Sequence, residues 1–155
     1  MILDPNALSA FVDGDSAVGE TLSHQERAAI PVIVLGEFRY GIAGSKYRST
    51  YEKWLDTHLT DFELLSVTPD TAAAYATVRV ALKQAGTPIP ANDAWIAALA
   101  FQHRLPVLSR DAHFDVVPGL QRINWQISDA ERLKPTPTRH SSSVKAVVQF
   151  AGFGG

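Results

Sequence analysis

The chain contains no cysteine. That excludes a disulfide framework, a zinc–thiolate site and a thiol nucleophile. Neither sign of charge is in strong excess: 14 Lys and Arg against 16 Asp and Glu leave a net charge of −2. Such a balance gives no chain-wide electrostatic footprint for nucleic acid or membrane. Long apolar runs are missing too. Asp4 interrupts the first of them and no basic region precedes it, so nothing resembles a signal peptide. No segment reaches the length of a membrane span. At 155 residues the chain is expected to form one soluble, cytoplasmic domain with a sizeable core.

What is present alternates between strand and helix signals. Residues 1–3 are apolar and too few for a helix, so they read as a strand; residues 28–34, apolar and β-branched, read as a second. Val34, Phe38, Gly41 and Ile42 then recur at helical spacing. Residues 51–59 and 71–85 also read as helices, the second Ala-rich and stopped by Gly86, with a strand, FELLSV, between them at 62–67. A helix over 93–103 is followed by the short apolar strands PVLS at 106–109 and RINW at 122–125. This alternation predicts a three-layer α/β/α fold with a mainly parallel central sheet. From Lys134 the composition turns to Pro, Thr and Ser and then to a Gly-ended apolar piece. Residues 134–155 are therefore expected to be a flexible extension of a domain spanning 1–133.

The acids carry the chemistry. In an open parallel sheet, ligands bind beyond the carboxyl ends of the strands. Asp4 follows the first strand, Asp111 follows PVLS in the turn SRDAHFD, and Asp93 opens the helix NDAWIAALAFQH. Glu37 lies on the helix after the second strand, about 60° from the apolar line through Val34. Ordinary roles compete. Asp4, and Asn92 or Asp93, suit helix caps, and Asp111 and Asp115 suit turns. Glu37 resists that explanation: it is flanked by apolar residues, where an unpaired carboxylate is costly, and Arg39 points about 200° away around the helix. A hard cation would make four such acids tolerable together. Carboxylates without thiolate or imidazole ligands suit Mg²⁺ or Mn²⁺, ions that activate water for phosphodiester hydrolysis.

MILDPNALSAF, VLGEFRYGI, NDAWIAALAFQHRLPVLSRDAHF and the VPGL after it, in this order and spacing over residues 1–125, resemble a PIN domain of the VapC toxin type. The resemblance implies a Mg²⁺- or Mn²⁺-dependent endoribonuclease, the toxin of a toxin–antitoxin pair with a VapB-type antitoxin, usually a homodimer. Its products would carry a 5′-phosphate and a 3′-hydroxyl. Asp4, Glu37, Asp93 and Asp111 match the family's acidic quartet, with Asp4, Asp93 and Asp111 as metal ligands. Asn6 matches a polar residue that helps hold the first aspartate, and Asp115 is a supporting candidate around the site. The chain departs from the family at residue 5, where Asp-Pro-Asn stands in place of the common Asp-Thr-Asn. Proline removes a hydroxyl and a backbone N–H, so weaker support around Asp4 is expected.

An acidic site needs cations to receive a polyanion. Arg39, Arg110, Arg48 and Lys46 are candidates for RNA phosphates, with solvated surface charge as the competing role. YGIAGSKYRSTYEKW suits base stacking or a contact with a dimer mate or antitoxin. His24, His103 and His113 show no ligand spacing and are read as non-catalytic, and Trp95, Ile96, Leu99 and Phe101 as packing. A surplus of carboxylates further predicts an antitoxin that brings an arginine or lysine into the acidic pocket. Two rival functions remain at this level: a PIN fold disabled by Pro5 that only binds RNA or a protein, and a housekeeping RNA-processing nuclease.

Overall fold

A computed structural model describes residues 1–126; the expected extension at 134–155, and the domain boundary at 133, lie outside the described residues. Five short strands form the sheet: β1 (Ile2–Leu3), β2 (Ala29–Pro31), β3 (Glu63–Leu65), β4 (Val107–Leu108) and β5 (Arg122–Ile123). Six α-helices accompany them among the described residues: α1 (Pro5–Val12), α2 (Ser16–Ser23), α3 (Val32–Ile42), α4 (Arg48–His58), α5 (Pro69–Ala85) and α6 (Ala91–His103). The strand order is β3-β2-β1-β4-β5 and every pairing is parallel. The chain therefore builds outward from β1 to β2 and β3, then returns to add β4 and β5 on the other side. The order reverses between β1 and β4, where Ile2 pairs with Val107 and Leu3 with Leu108.

The three central strands, β2, β1 and β4, read as continuous apolar runs because both faces are covered. Ile2, Leu3, Ile30, Val107 and Leu108 are fully buried. Helix α6 is apolar almost all round for the same reason. Ile96, Leu99 and Ala100 join the main core of strands and helices α1 to α4, while Ala94 and Ala97 join a second cluster with Val78 and Leu82 of α5. Phe11 of α1 meets Trp54 and Phe62 edge-on, with ring centroids 5.9 Å apart in each pair. Trp54 of the tyrosine-rich segment is thus core, whereas Tyr40 and Tyr47 are exposed. On α6, Ile96 and Leu99 pack as expected, Trp95 stacks on Tyr75 at 3.9 Å and Phe101 is exposed at its edge.

The boundaries differ from the sequence reading in instructive places. The second strand ends at Pro31, and the β-branched Val32 and Val34 begin α3 instead of continuing the strand. Burial of Val34, Phe38 and Ile42 on one helical face outweighs local strand preference here. Helix α5 starts two residues before Thr71, behind a capping box between Thr68 and Thr71. It stops where expected, at Gly86 with φ 68°. Helix α6 begins at Ala91 with Pro90 as its N-cap and no side-chain cap bond, so neither Asn92 nor Asp93 caps it. No helix among the described residues is long and apolar enough to cross a membrane.

Candidate active site

Asp4 occupies the tip of β1 and is 1% exposed. It caps α1, its Oδ1 accepting the Ala7 N–H at 2.7 Å, so capping and site roles fall on the same side chain. Pro5 stands at the first position of α1, where an N–H would have no helical partner and the fixed φ suits the helix. The expected loss of support around Asp4 therefore does not arise from Pro5. Asn6 is exposed and borders a neighbouring polar hollow. The second partner of Asp4 is Ser109, whose Oγ donates to Asp4 Oδ2. Ser109 is itself fully buried at the tip of β4 and accepts the Asp111 N–H at 2.8 Å.

Ser109 thus ties the first acid to the loop carrying the last. Asp111 caps a 3₁₀ turn over Ala112–Val116 by accepting the His113 N–H at 2.9 Å. That turn aims the His113 ring back at the acids: its Nδ1 lies 3.0 Å from Asp93 Oδ2 and 3.1 Å from Asp111 Oδ1. Asp93, Asp111 and His113 offer ligand atoms within 4.8 Å of one another. The sequence shows no ligand spacing for His113, yet the structure places its ring beside Asp93 and Asp111. The i, i+2 spacing of Asp111 and His113 has no metal-ligand signature; the 3₁₀ turn supplies it.

Glu37 reaches the same cleft from α3. Its Oε1 accepts a hydrogen bond from Asn92 Nδ2 at 2.7 Å, while its Oε2 is buried with no partner among the described residues. The cleft, of about 410 Å³, is lined by Glu37, Asp93, Asp111 and His113 together with residues 90–92. A larger hollow of about 510 Å³ near Arg79 and Lys83 has no carboxylate in its lining. Asp115 turns outward and pairs with Arg122, N···O 2.6 and 2.7 Å, in an ion pair that holds its carboxyl below the ordinary range. Arg122 also donates to the Ser109 carbonyl at 3.0 Å, so Asp115 steadies the loop from outside the acidic cluster. Arg39 is exposed on α3, and Arg110 borders the hollow beside Asn6, its guanidinium 5.2 Å from the Trp125 ring centre.

Electrostatics mark the cluster. Burial pushes the Asp4 carboxyl up to about 6, against the hydrogen bonds from Ser109 and Ala7, with Asp93 and Asp111 adding repulsion. Burial likewise raises Asp93; the His113 contact opposes it, while Asp111 and Glu37 add to it. Carboxylates that repel one another, and a buried carboxylate oxygen with no donor, are what a divalent cation relieves. The donor set fits such an ion.

The sequence profile of the PIN domain family matches residues 1–120. Ribonuclease VapC5 of Mycobacterium tuberculosis is 33% identical over 96 residues, covering 61% of this chain and 71% of the relative. The structure of VapBC2 from Rickettsia felis, bound to a DNA fragment from their promoter, aligns with a TM-score of 0.70 at 27% identity. That alignment covers 80% of this chain and 97% of the other. VapBC-5 from Mycobacterium tuberculosis, a member of the VapBC family of toxin–antitoxin systems, aligns with a TM-score of 0.61 at 30% identity over 79% of this chain and 94% of the other. The profile match spans Asp4, Glu37, Asp93 and Asp111, and by it the chain belongs to the PIN domain family.

Proposed function

We propose that this protein is a divalent-cation-dependent endoribonuclease, the toxin of a toxin–antitoxin pair. The observation that carries the reading is the meeting of Asp93 and Asp111 beside the buried Asp4, at the point where the strand order reverses. The relatives named ribonucleases and the VapBC neighbours support it from the family side.

Asp93 and Asp111, with Asp4 beside them, would hold the divalent cation, Mg²⁺ or Mn²⁺. When bound, such an ion lowers the pKa of water and neutralises charge developing on the phosphate oxygens. The chain's own residues do the positioning. Ser109 fixes Asp4, and the cap made by Asp111 fixes the loop. Asn92 holds one oxygen of Glu37 and leaves the other to accept a hydrogen bond from the attacking water. In-line displacement at phosphorus leaves a 5′-phosphate and a 3′-hydroxyl. Arg110, on the neighbouring hollow, and Arg39, exposed on α3, are the cations offered to RNA phosphates beyond the cleft. The protein acts as a homodimer, and a VapB-type antitoxin silences it by placing an arginine or lysine among the carboxylates.

Pro5 gives no reason to prefer a disabled binding module, since Asp4 keeps its cap and its Ser109 bond. Incubating the full chain with a defined RNA panel in Mg²⁺, Mn²⁺ or EDTA tests the reading. Cleavage confined to the metal-containing reactions is expected; cleavage in EDTA, or none in any condition, would overturn it.

A further inference from the structure

We propose that His113 is a nitrogen ligand in this cleft, and that it makes the site prefer Mn²⁺ to Mg²⁺. The inference rests on the metal-dependent reading above and sharpens it.

The geometry comes first. Neighbouring ligands on an octahedron of bond length about 2.1 Å are about 3.0 Å apart. His113 Nδ1 lies 3.0 Å from Asp93 Oδ2 and 3.1 Å from Asp111 Oδ1, the separations of adjacent positions around one ion. These atoms come from three side chains on two elements, and the cap between Asp111 and the His113 N–H holds the ring in that direction. Glu37, whose Oε2 is buried without a partner among the described residues, lines the same cleft and is left to its role toward water. To act as a ligand, His113 would present its Nδ1 lone pair to the ion and carry its proton on Nε2. The ring is 49% exposed, so solvent can receive the Nε2–H.

The preference follows from ligand chemistry. Mg²⁺ is hard, dehydrates reluctantly and gains little from nitrogen, whereas imidazole suits first-row transition ions. Two carboxylates and an imidazole are a mixed set that Mn²⁺ accepts with less loss. The competing role for His113 is a hydrogen-bonding bridge that steadies two repelling carboxylates and never touches the ion.

Pulsed EPR on the Mn²⁺-loaded full chain, free of RNA, separates these roles. Wild type should show a directly coordinated ¹⁴N coupling, replaced by a ¹⁵N coupling when histidine is ¹⁵N-labelled, and His113→Ala should lose it. In Mg²⁺–Mn²⁺ competition, the ratio of Mg²⁺ to Mn²⁺ needed for half displacement should fall by about tenfold or more in His113→Ala. Bound Mn²⁺ without nitrogen coupling in wild type, or an unchanged competition ratio in a folded variant, would overturn the inference while leaving the metal-dependent reading intact. Failure of wild type to bind Mn²⁺ at all would overturn both. Should the variant not fold, the isotope exchange in wild type decides alone.

Discussion

Ser109 Oγ donates a hydrogen bond to Asp4 Oδ2 across 105 positions of sequence, joining the tips of β1 and β4. The same hydroxyl accepts the Asp111 N–H, so one small side chain sets the spacing of two acids. Removing it as Ser109→Ala leaves a buried carboxylate short of a donor and a backbone N–H without its partner. A loss of about 1–3 kcal/mol is expected, read by urea denaturation in chelator, together with a fall in RNA cleavage. Stability and cleavage both unchanged would show that Ser109 positions nothing.

Asp4 makes stability depend on pH. Its carboxyl is raised from 3.8 in the unfolded reference to about 6 by burial. Below about pH 4 it is protonated in both states and contributes no penalty. Between about pH 4 and 6 the folded protein keeps a proton that the unfolded chain has released, so stability falls as pH rises. Above that range the penalty is complete, on the order of 3 kcal/mol for a shift of this size. Asp4→Asn keeps the shape and removes the charge. In chelator it should be more stable than wild type at pH 7.5, with the advantage gone near pH 4. An equal difference at both pH values in denaturant melts would contradict the assignment.

Asp93 feels the same crowding with a different consequence. It does not cap α6, and Asp93→Asn still offers an oxygen to His113 Nδ1–H. The metal-free variant should gain about 1 kcal/mol by losing a repelled charge. Mg²⁺ should then raise the melting temperature of wild type clearly more than that of the variant, because binding to the folded state stabilises it. Matching metal responses in the two proteins would remove Asp93 from the ion's ligands.

Pro5→Thr restores the residue common in the family, and the structure predicts little benefit. Pro5 already suits the start of α1 and Asp4 is held elsewhere. Cleavage should stay within about twofold of wild type, and stability should fall by about 0.4–1 kcal/mol as the unfolded chain regains freedom. A large gain in cleavage rate would mean that threonine supplies something Ser109 does not.

The legible parts of this protein were those encoded locally. Periodicity located the strands at Ile2, Leu64, Val107 and Ile123 and the helices carrying Phe38, Leu82 and Leu99 to within a few residues. The run through Val32 to Val34 misled because strand preference is a local property, and packing of α3 against the core is not. Helix α2 carries only a weak pattern in SAVGETLS and is announced chiefly by its Asp15 cap. Asp4, Asp93 and Asp111 stood out because each follows a strand or opens a helix, positions that a parallel sheet brings to one edge, and Glu37 because apolar residues flank it within α3. Ser109 and His113 did not, since their roles depend on which strand neighbours β1 and on how a 3₁₀ turn winds after Asp111. Neither is a property of spacing.

The proposed function stands or falls on the Asp93–Asp111 pair holding the cation with which this chain cleaves RNA. The most direct test compares cleavage of one end-labelled RNA by wild type and by Asp111→Asn, each with Mg²⁺, Mn²⁺ or EDTA and with product ends identified. Wild type should cut only with metal and leave 5′-phosphates. The variant, stripped of a ligand worth several kcal/mol of transition-state stabilisation, should be slower by about 100-fold or more while still folded. A folded Asp111→Asn protein that cuts at the wild-type rate, or wild-type cleavage that survives EDTA, would contradict the claim.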